Sequence, residues 1–537
     1  MDENVVYDPT KSDGAAQPPP NDPNQQPENA QDVPQDPAAD PNAPVDPTVD
    51  PNADPNAEVP VDPNADPNAE VVDPNAVPAE GEVAADGTET EEEAEEPPPP
   101  GGIMGFIGNP LVKKILIGLG ILILLITAVS FFLPKGESTK QVKLQWWGLW
   151  EESNAVQTLI IDFKKTHPNI DVEYVKKDPK EYRERLLARV DNSTGPDVFR
   201  YHNTWMPMLS DVLLPLSSDV ITPEEFKKVY YPVMQEDLVK NGAIYGIPMM
   251  GDTLAMYVNP KIFEDAGEQV PTNWDDFVKV SKKLTKRDSK GKITTAGAAL
   301  GTYDNITHAP DIISLLFVQQ GVNMQDFTTQ QDAQTGALDY YTSFANGQDA
   351  VWDASLDNST LSFSKGNVAI YFGFSWDVFT IQKLNKSLNF KVYPVPELYG
   401  KKTTIASYWA EGVSAKSPNQ KEALEFMKYL SQKETAEKFY AETAKTRAFG
   451  EPYARKDLKE SLREEPLVYP FVDQLDNAKS SFFASDTHDG DTGLNTMANS
   501  YLGTAIRSMA DGGSGDSVVE PLNSGILQIY EKYNAQL

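Results

Sequence analysis

Val142, Leu144 and Trp146 alternate with Lys143, Gln145 and Trp147, which is the two-residue period of a half-buried strand, and the strand stops at Gly148. Val156, Leu159, Ile160 and Phe163 then recur at helical spacing behind Ser153, a suitable N-cap. A second strand is predicted from Ile170 to Val175. Asp178, Pro179 and Glu181 follow as N-cap, first-turn proline and capping-box acid for a helix carrying Tyr182, Leu186 and Val190. A third strand runs from Asp197 to Tyr201. Strands alternating with helices predict a mostly parallel sheet in an α/β lobe.

The same alternation starts again further on. Thr272 and Asp275 open a helix with Trp274, Phe277, Val278, Ser281 and Leu284 on one face. Ala296 to Gly301 reads as a strand, Asp311 to Gln320 as a helix and Val368 to Phe372 as a strand. Ser417, Pro418 and Gln420 cap a further helix with Ala423, Leu424, Met427 and Leu430 inward. With two α/β series and no nucleotide-binding fingerprint, two lobes facing a cleft is the expected architecture.

Residues 1–110 show no such periodicity. The first hundred residues hold 26 of the 80 acidic side chains, 22 of the 42 prolines and one basic residue, Lys11. Asp-Pro-Asn-Ala recurs there at irregular spacing, at Asp40, Asp50, Asp54, Asp62, Asp66 and Asp73, before an acidic run from Glu89 to Glu96. Each unit lacks an apolar face, so the segment cannot bury enough surface to offset its chain entropy and is expected to be a disordered, extended tail. Ile115 to Leu133 is an uncharged run of the length that spans a bilayer core, opened by Lys113 and Lys114 and closed by Pro134 and Lys135. It predicts an uncleaved single-pass anchor over residues 111–134, with a linker at 135–140 and the two-lobed domain at 141–537. Lysines flank the run on both sides, so charge alone does not orient it.

Beyond the tail, acidic and basic residues nearly balance, which disfavours nucleic acid as a partner. The chain has no cysteine, excluding disulfides, thiolate metal sites and a lipid-modified cysteine. No nucleophile elbow, phosphate-binding loop or zinc-binding His-Glu-x-x-His is present, and His167, His202, His308 and His488 stand in no catalytic spacing, so an enzyme is not expected. Asp486, His488, Asp489 and Asp491 with Gly490 and Gly493 lack the acidic close of a calcium loop and read as a polar loop that could line a cleft. No metal or cofactor is expected.

Several ordered motifs remain. Trp147 to Trp150 follow the first strand; Gly195, Pro196, Asp197 and Val198 lead into Asn203 and Trp205; Tyr245, Gly246, Ile247 and Pro248 precede Asp252, Tyr257 and Asn259. Gly366, Ala369, Ile370 and Gly373 precede Ser375 and Trp376, and Tyr408, Trp409, Glu411, Gly412 and Val413 precede Ser417, Pro418 and Asn419. In this order they resemble the extracellular solute-binding proteins of the maltose-binding type, the capture subunits of ABC importers. The resemblance implies a two-lobed periplasmic-binding-protein (type II) fold that closes on a hinge. It places the crossings near Asp252 to Asn259, near Val392 to Val395 and after about Lys445. Lobe 1 would hold about 141–255 and 395–445, lobe 2 about 256–394 and 446–537. The chain departs from the family in its attachment, a transmembrane helix behind an acidic tail instead of a lipidated cysteine.

Sugars present apolar C–H faces and rings of hydroxyls, so their sites combine aromatic platforms with carboxylates, amides and arginine. Trp147, Trp150, Trp205, Trp376 and Trp409 fall in turns or at strand ends, whereas Trp146, Trp274 and Trp352 are assigned to packing. Tyr408 stands beside Trp409, and the polar candidates are Glu151, Asn203, Asp252, Glu411 and Arg447. Each tryptophan has core packing as its alternative, and each polar residue a helix cap or an ion pair. The expected protein is a monomeric, membrane-anchored binding protein. Its domain lies outside the cell, its tail in the cytoplasm, and it captures a mono- or oligosaccharide for ABC permease subunits. The alternative is a ligand sensor or tether uncoupled from transport.

Overall fold

The computed structural model describes residues 110–111, 114–115, 117–121 and 140–533. The acidic tail, most of the expected anchor and nearly all of the linker lie outside these residues. Residues 1–113 and 114–537 form two units, and Pro110 and Leu111 are all that is described of the first. In the second, residues 117–121 are helical and Ile115, Ile117, Leu119 and Ile121 are exposed. Among the described residues no helix is long and apolar enough to cross a membrane.

From residue 142 the chain folds as its periodicity predicts. Strand β1 (Val142–Gly148) pairs in parallel with β2 (Ile170–Lys176), and α1 (Ser153–Thr166) between them buries Val156, Leu159, Ile160 and Phe163. Helix α2 (Tyr182–Asp191) leads to β3 (Val198–His202), whose five residues are all buried. Two starts are corrected. Glu152, not Ser153, occupies the cap of α1. Asp178 accepts the Lys180 amide at 2.8 Å in a local turn, so α2 begins at Tyr182 behind a left-handed Glu181.

A second sheet follows. Strand β4 (Ala255–Val258) is antiparallel to β6 (Val368–Gly373), which is parallel to β5 (Ile293–Ala298). Around them lie α3 (Trp274–Leu284), α4 (Ala309–Gln320), α5 (Ser375–Leu384) and edge strand β7 (Lys391–Tyr393). Asn273 caps α3 and the buried face takes Val280 in place of Val278. Helix α3 packs so closely that a Cβ on Gly297 of β5 would strike the Ser281 carbonyl. The chain then returns to the first sheet as β8 (Trp409–Ser414), antiparallel to β3, with α6 (Gln420–Leu430) behind it. On α6 the buried set includes Phe426, while Leu424 is half-buried. Helices α7 (Leu494–Ala510) and α8 (Gly515–Tyr533) close the chain. Trp146, Trp274 and Trp352 are core residues, as expected.

The lobe boundaries differ from the sequence expectation. Residues 396–403 stay with the second sheet: the Gln319 side chain donates to Pro396 and Thr403 carbonyls at 3.0 and 2.8 Å. The return crossing is therefore at 404–407, where Leu254 donates to the Ile405 carbonyl and Ser407 to that of Asp252. Within 446–473, expected in the second lobe, Pro452 accepts from Gly251, Arg455 bridges to Tyr230 and Lys456 donates to the Lys227 carbonyl, all in the first, while Phe449 meets Phe379 of α5 and Phe471 meets Tyr257 of β4. The third crossing comes at 478–480, where Ala478 and Lys479 pair with Thr404 and Ile405. These boundaries rest on contacts between distant segments, which local periodicity does not encode.

Candidate functional site

The register of β3 and β8 sets Glu411 directly opposite Arg200, and Trp409 opposite His202. Arg200 Nε donates to Glu411 Oε1 at 2.7 Å, Arg200 Nη1 pairs with Glu151 Oε2, and Trp146 Nε1 donates to Glu411 Oε2 at 2.9 Å. All three ionic groups are buried. Burial works against the Arg200 charge, but the two carboxylates outweigh it and hold the guanidinium protonated. Burial raises the Glu411 carboxyl above its ordinary value, against the pull of Arg200. Glu151 lies in the turn after β1, whose carbonyl accepts the Tyr174 hydroxyl at 3.0 Å. This buried triad fixes where that turn sits, and the turn carries Trp150.

Trp150 is half-buried, and its ring meets Trp409 edge-on at 5.6 Å and 71°. Trp205 meets the same Trp409 at 5.5 Å and 79°. His202 lies 5.0 Å from Trp409; its ring nitrogens face Thr204 and Ser407 hydroxyls, and burial lowers its pKa to about 3, so it is neutral. Among the described residues the indole N–H groups of Trp150 and Trp205 and Oε1 of Glu151 have no hydrogen-bond partner.

A segment of the other lobe faces this group. The His488 ring lies 5.3 Å from Trp150, on a stretch where Asp486 and His488 both adopt left-handed backbone, φ 54° and 52°. Arg183 of α2 reaches across to it, donating from Nε to the Asp489 carbonyl at 2.6 Å and from Nη2 to Thr492 Oγ1 at 3.1 Å. The Asp489 carboxylate accepts the Asn495 amide at 2.6 Å and the Thr496 hydroxyl at 2.7 Å, capping α7. The acidic motif is thus a helix cap and a cross-lobe loop. His308 beneath it is fully buried, with Nε2 at 2.8 Å from Asp377 Oδ2 and Nδ1 at 2.8 Å from Ser485 Oγ. Burial opposes its charge, but Asp377, Asp311 and Asp486 outweigh that and raise its pKa.

At the first crossing, Asp252 is buried and takes three donors: the Thr253 amide at 2.8 Å, the Ser375 amide at 3.0 Å and the Ser375 hydroxyl. It therefore links the crossing to the first turn of α5. Burial pushes its carboxyl up to about 8, outweighing those donors. Trp376, next on α5, is half-buried and stacks on Phe374 at 4.5 Å and 11°. Arg447 pairs with Glu451 and lies 5.0 Å from the Phe379 ring of α5.

The expected residues thus divide into groups. Trp150, Trp205 and Trp409 converge over the Glu151–Arg200–Glu411 triad. Trp376, Asp252 and Arg447 contact α5 or lie on it. Trp205, expected to face a cleft, is fully buried, because the turn after β3 folds under Trp409. Trp147 is 6% exposed; its indole donates to Gln145 at 2.7 Å, and Lys177 sits 4.0 Å above its ring. Asn203 and Tyr408 are buried and bind each other's backbone, and both donate to Asp237, at 3.1 and 2.7 Å. Glu151 and Glu411 take the ion-pair alternative. Sequence reasoning missed Arg200, Asp237 and His308. The signal for Arg200 was a lone charge among Val198, Phe199 and Tyr201 in the central strand.

A family profile described as bacterial extracellular solute-binding protein matches residues 147–437, more than half of the chain. The multiple sugar-binding protein of Streptococcus mutans is 24% identical over 276 residues, covering 46% of this chain and 62% of that protein, so the chain spans under two thirds of that relative's length. Among solved structures, the sugar-binding protein MalE of Xanthomonas citri aligns with TM-score 0.59 at 20% identity, over 73% of this chain and 98% of that one. A cyclo/maltodextrin-binding protein complexed with maltotetraose aligns with TM-score 0.57 at 19% identity, over 74% and 98%. These structures share the two-lobed fold.

Arg200→Met strands two buried carboxylates without their cation. Loss of about 3–5 kcal/mol is expected, read as a lowered melting temperature by calorimetry. Asp252 has a folded pKa of about 8 against an ordinary 3.8, so between those values the folded state holds a proton that the unfolded chain has released. Stability should fall as pH rises through this window, by at most about 1.4 kcal/mol per pH unit from this group. Denaturant titrations of Asp252→Asn should show a flatter decline over the same range.

Proposed function

Because the chain belongs to the bacterial extracellular solute-binding protein family, we propose that its two-lobed domain captures a carbohydrate between the lobes and hands it to the permease of an ABC importer. The observation that carries this reading is Trp150 against Trp409 at the strand ends of the first lobe, backed by buried Trp205, with Trp150 facing His488 of the second. Aromatic edges and faces suit the apolar side of a sugar ring. The unpartnered indole N–H of Trp150 and Oε1 of Glu151 suit its hydroxyls. Trp376 adds a half-buried platform on the second lobe, and Asp252, Asn203, Trp147, Tyr408, Glu411 and Arg447 hold the surrounding frame. The named relatives are sugar-binding proteins, which supports the same ligand class. Residues 111–134 serve as the membrane anchor, with the lobes outside the cell and the acidic tail in the cytoplasm.

Calorimetric titration of residues 141–537 with mono- and oligosaccharides should find one sugar class that binds saturably and is recovered unchanged. Trp150→Ala and Trp376→Ala, both at half-buried positions, should weaken that binding at least tenfold, about 1.4 kcal/mol, without loss of fold. Absence of binding by any sugar would sink the carbohydrate reading. For the anchor, the full chain should sediment with membranes and resist alkaline extraction, whereas a chain lacking residues 111–134 should be released.

A further inference from the structure

One side chain touches three of the segments that connect the lobes. Gln474 is 6% exposed and uses both ends of its amide. Its Oε1 accepts the Val395 amide at 3.0 Å. Its Nε2 is within reach of Thr253 Oγ1 at 3.3 Å, the Leu254 carbonyl at 3.3 Å and the Pro470 carbonyl at 3.1 Å. Val395 extends from β7 of the second sheet. Thr253 and Leu254 are the first crossing. Pro470 belongs to the segment that runs on into the third crossing at 478–480. Thr253 Oγ1 in turn donates to the Phe471 carbonyl at 2.8 Å, so crossing and segment are tied twice.

Gln474 also lines a cavity of about 280 Å³. One wall is second-lobe chain, Val270, Thr272, Val395 and Glu397; the other is Asp473 and Asn477. The lobes are therefore loosely packed against each other here, and the Gln474–Val395 hydrogen bond crosses that gap. Elsewhere the lobes meet directly, at Trp150 with His488 and at Arg183 with Asp489 and Thr492.

We propose that Gln474 is a positioning residue that sets the balance between open and closed arrangements of the lobes, and through it the ligand affinity, without touching ligand. This rests on the capture reading for its effect on affinity but not for its effect on lobe arrangement. The amide is suited to the role because it accepts from one lobe and donates to two connecting segments at once. Removing it leaves the buried Val395 amide unpaired in the present arrangement and lowers its share of the ensemble. A smaller competent fraction raises the apparent Kd in proportion.

The test uses the absence of cysteine from the chain. Asp191→Cys and Lys386→Cys, exposed positions on the two lobes, accept a spin-label pair whose distance distribution is read by pulsed dipolar spectroscopy. In the ligand-free protein, Gln474→Met should shift or broaden that distribution. Should Gln474→Met fail to fold, Gln474→Glu carries the test with the same expectation, since a carboxylate cannot donate to Leu254 and Pro470. A sugar identified by titration should bind the variant about three- to tenfold more weakly, yet at saturation restore the native distance. An unchanged ligand-free distribution, with only a lowered melting temperature, overturns the proposal. If no sugar binds the native protein, the capture reading fails, and the ligand-free distances still decide the role of Gln474.

Discussion

The frame of the first lobe depends on one buried guanidinium. Arg200 lies in a strand with no exposed residue and is shared between Glu151 and Glu411, 49 positions before it and 211 after it. An unpaired charge at such depth is not tolerated, so the three groups must come together or the lobe does not form as it is. Meeting that demand brings the turn after β1 against the start of β8, and Trp150 and Trp409 arrive there as a consequence. The Trp150–Trp409 contact thus follows from where the charge must be neutralised.

The second lobe uses the same device in smaller form. His308 is buried with Asp377, Asp311 and Ser485 around it, tying the start of α4 to the start of α5 and to the cross-lobe loop. Asp252 joins the first crossing to α5 through Ser375. Polar groups in both lobes are therefore spent on orienting loops at strand ends, while the strands are held by apolar packing and ladder hydrogen bonds.

Much of this was legible in the chain. The strand and helix periods from Val142 to Tyr201 were nearly right in position, because each of those elements buries one face and its sequence shows it. The ordered motifs from Trp147 to Asn419 carried the family. Less legible were the roles of individual residues. For Glu151 and Glu411 the sequence left a ligand contact and an ion pair equally open, because a carboxylate beside tryptophans fits both; the structure places each against Arg200. Trp205 looked exposed because it follows a strand, yet the turn carrying it folds beneath Trp409.

By itself the sequence determined two α/β series, an acidic non-periodic tail and an apolar run before them, and a set of tryptophans at strand ends. These are properties of composition and short-range period, which residues a few positions apart decide. Only the tertiary structure decided that Arg200 pairs with both glutamates, that residues 452–456 pack against the first lobe, that Asp489 accepts the first amides of α7 and that Gln474 joins the connecting segments. Each of these depends on strand order and on contacts across tens to hundreds of residues. The free energy of such contacts comes from burial and pairing in one place, and no stretch of chain carries that information alone.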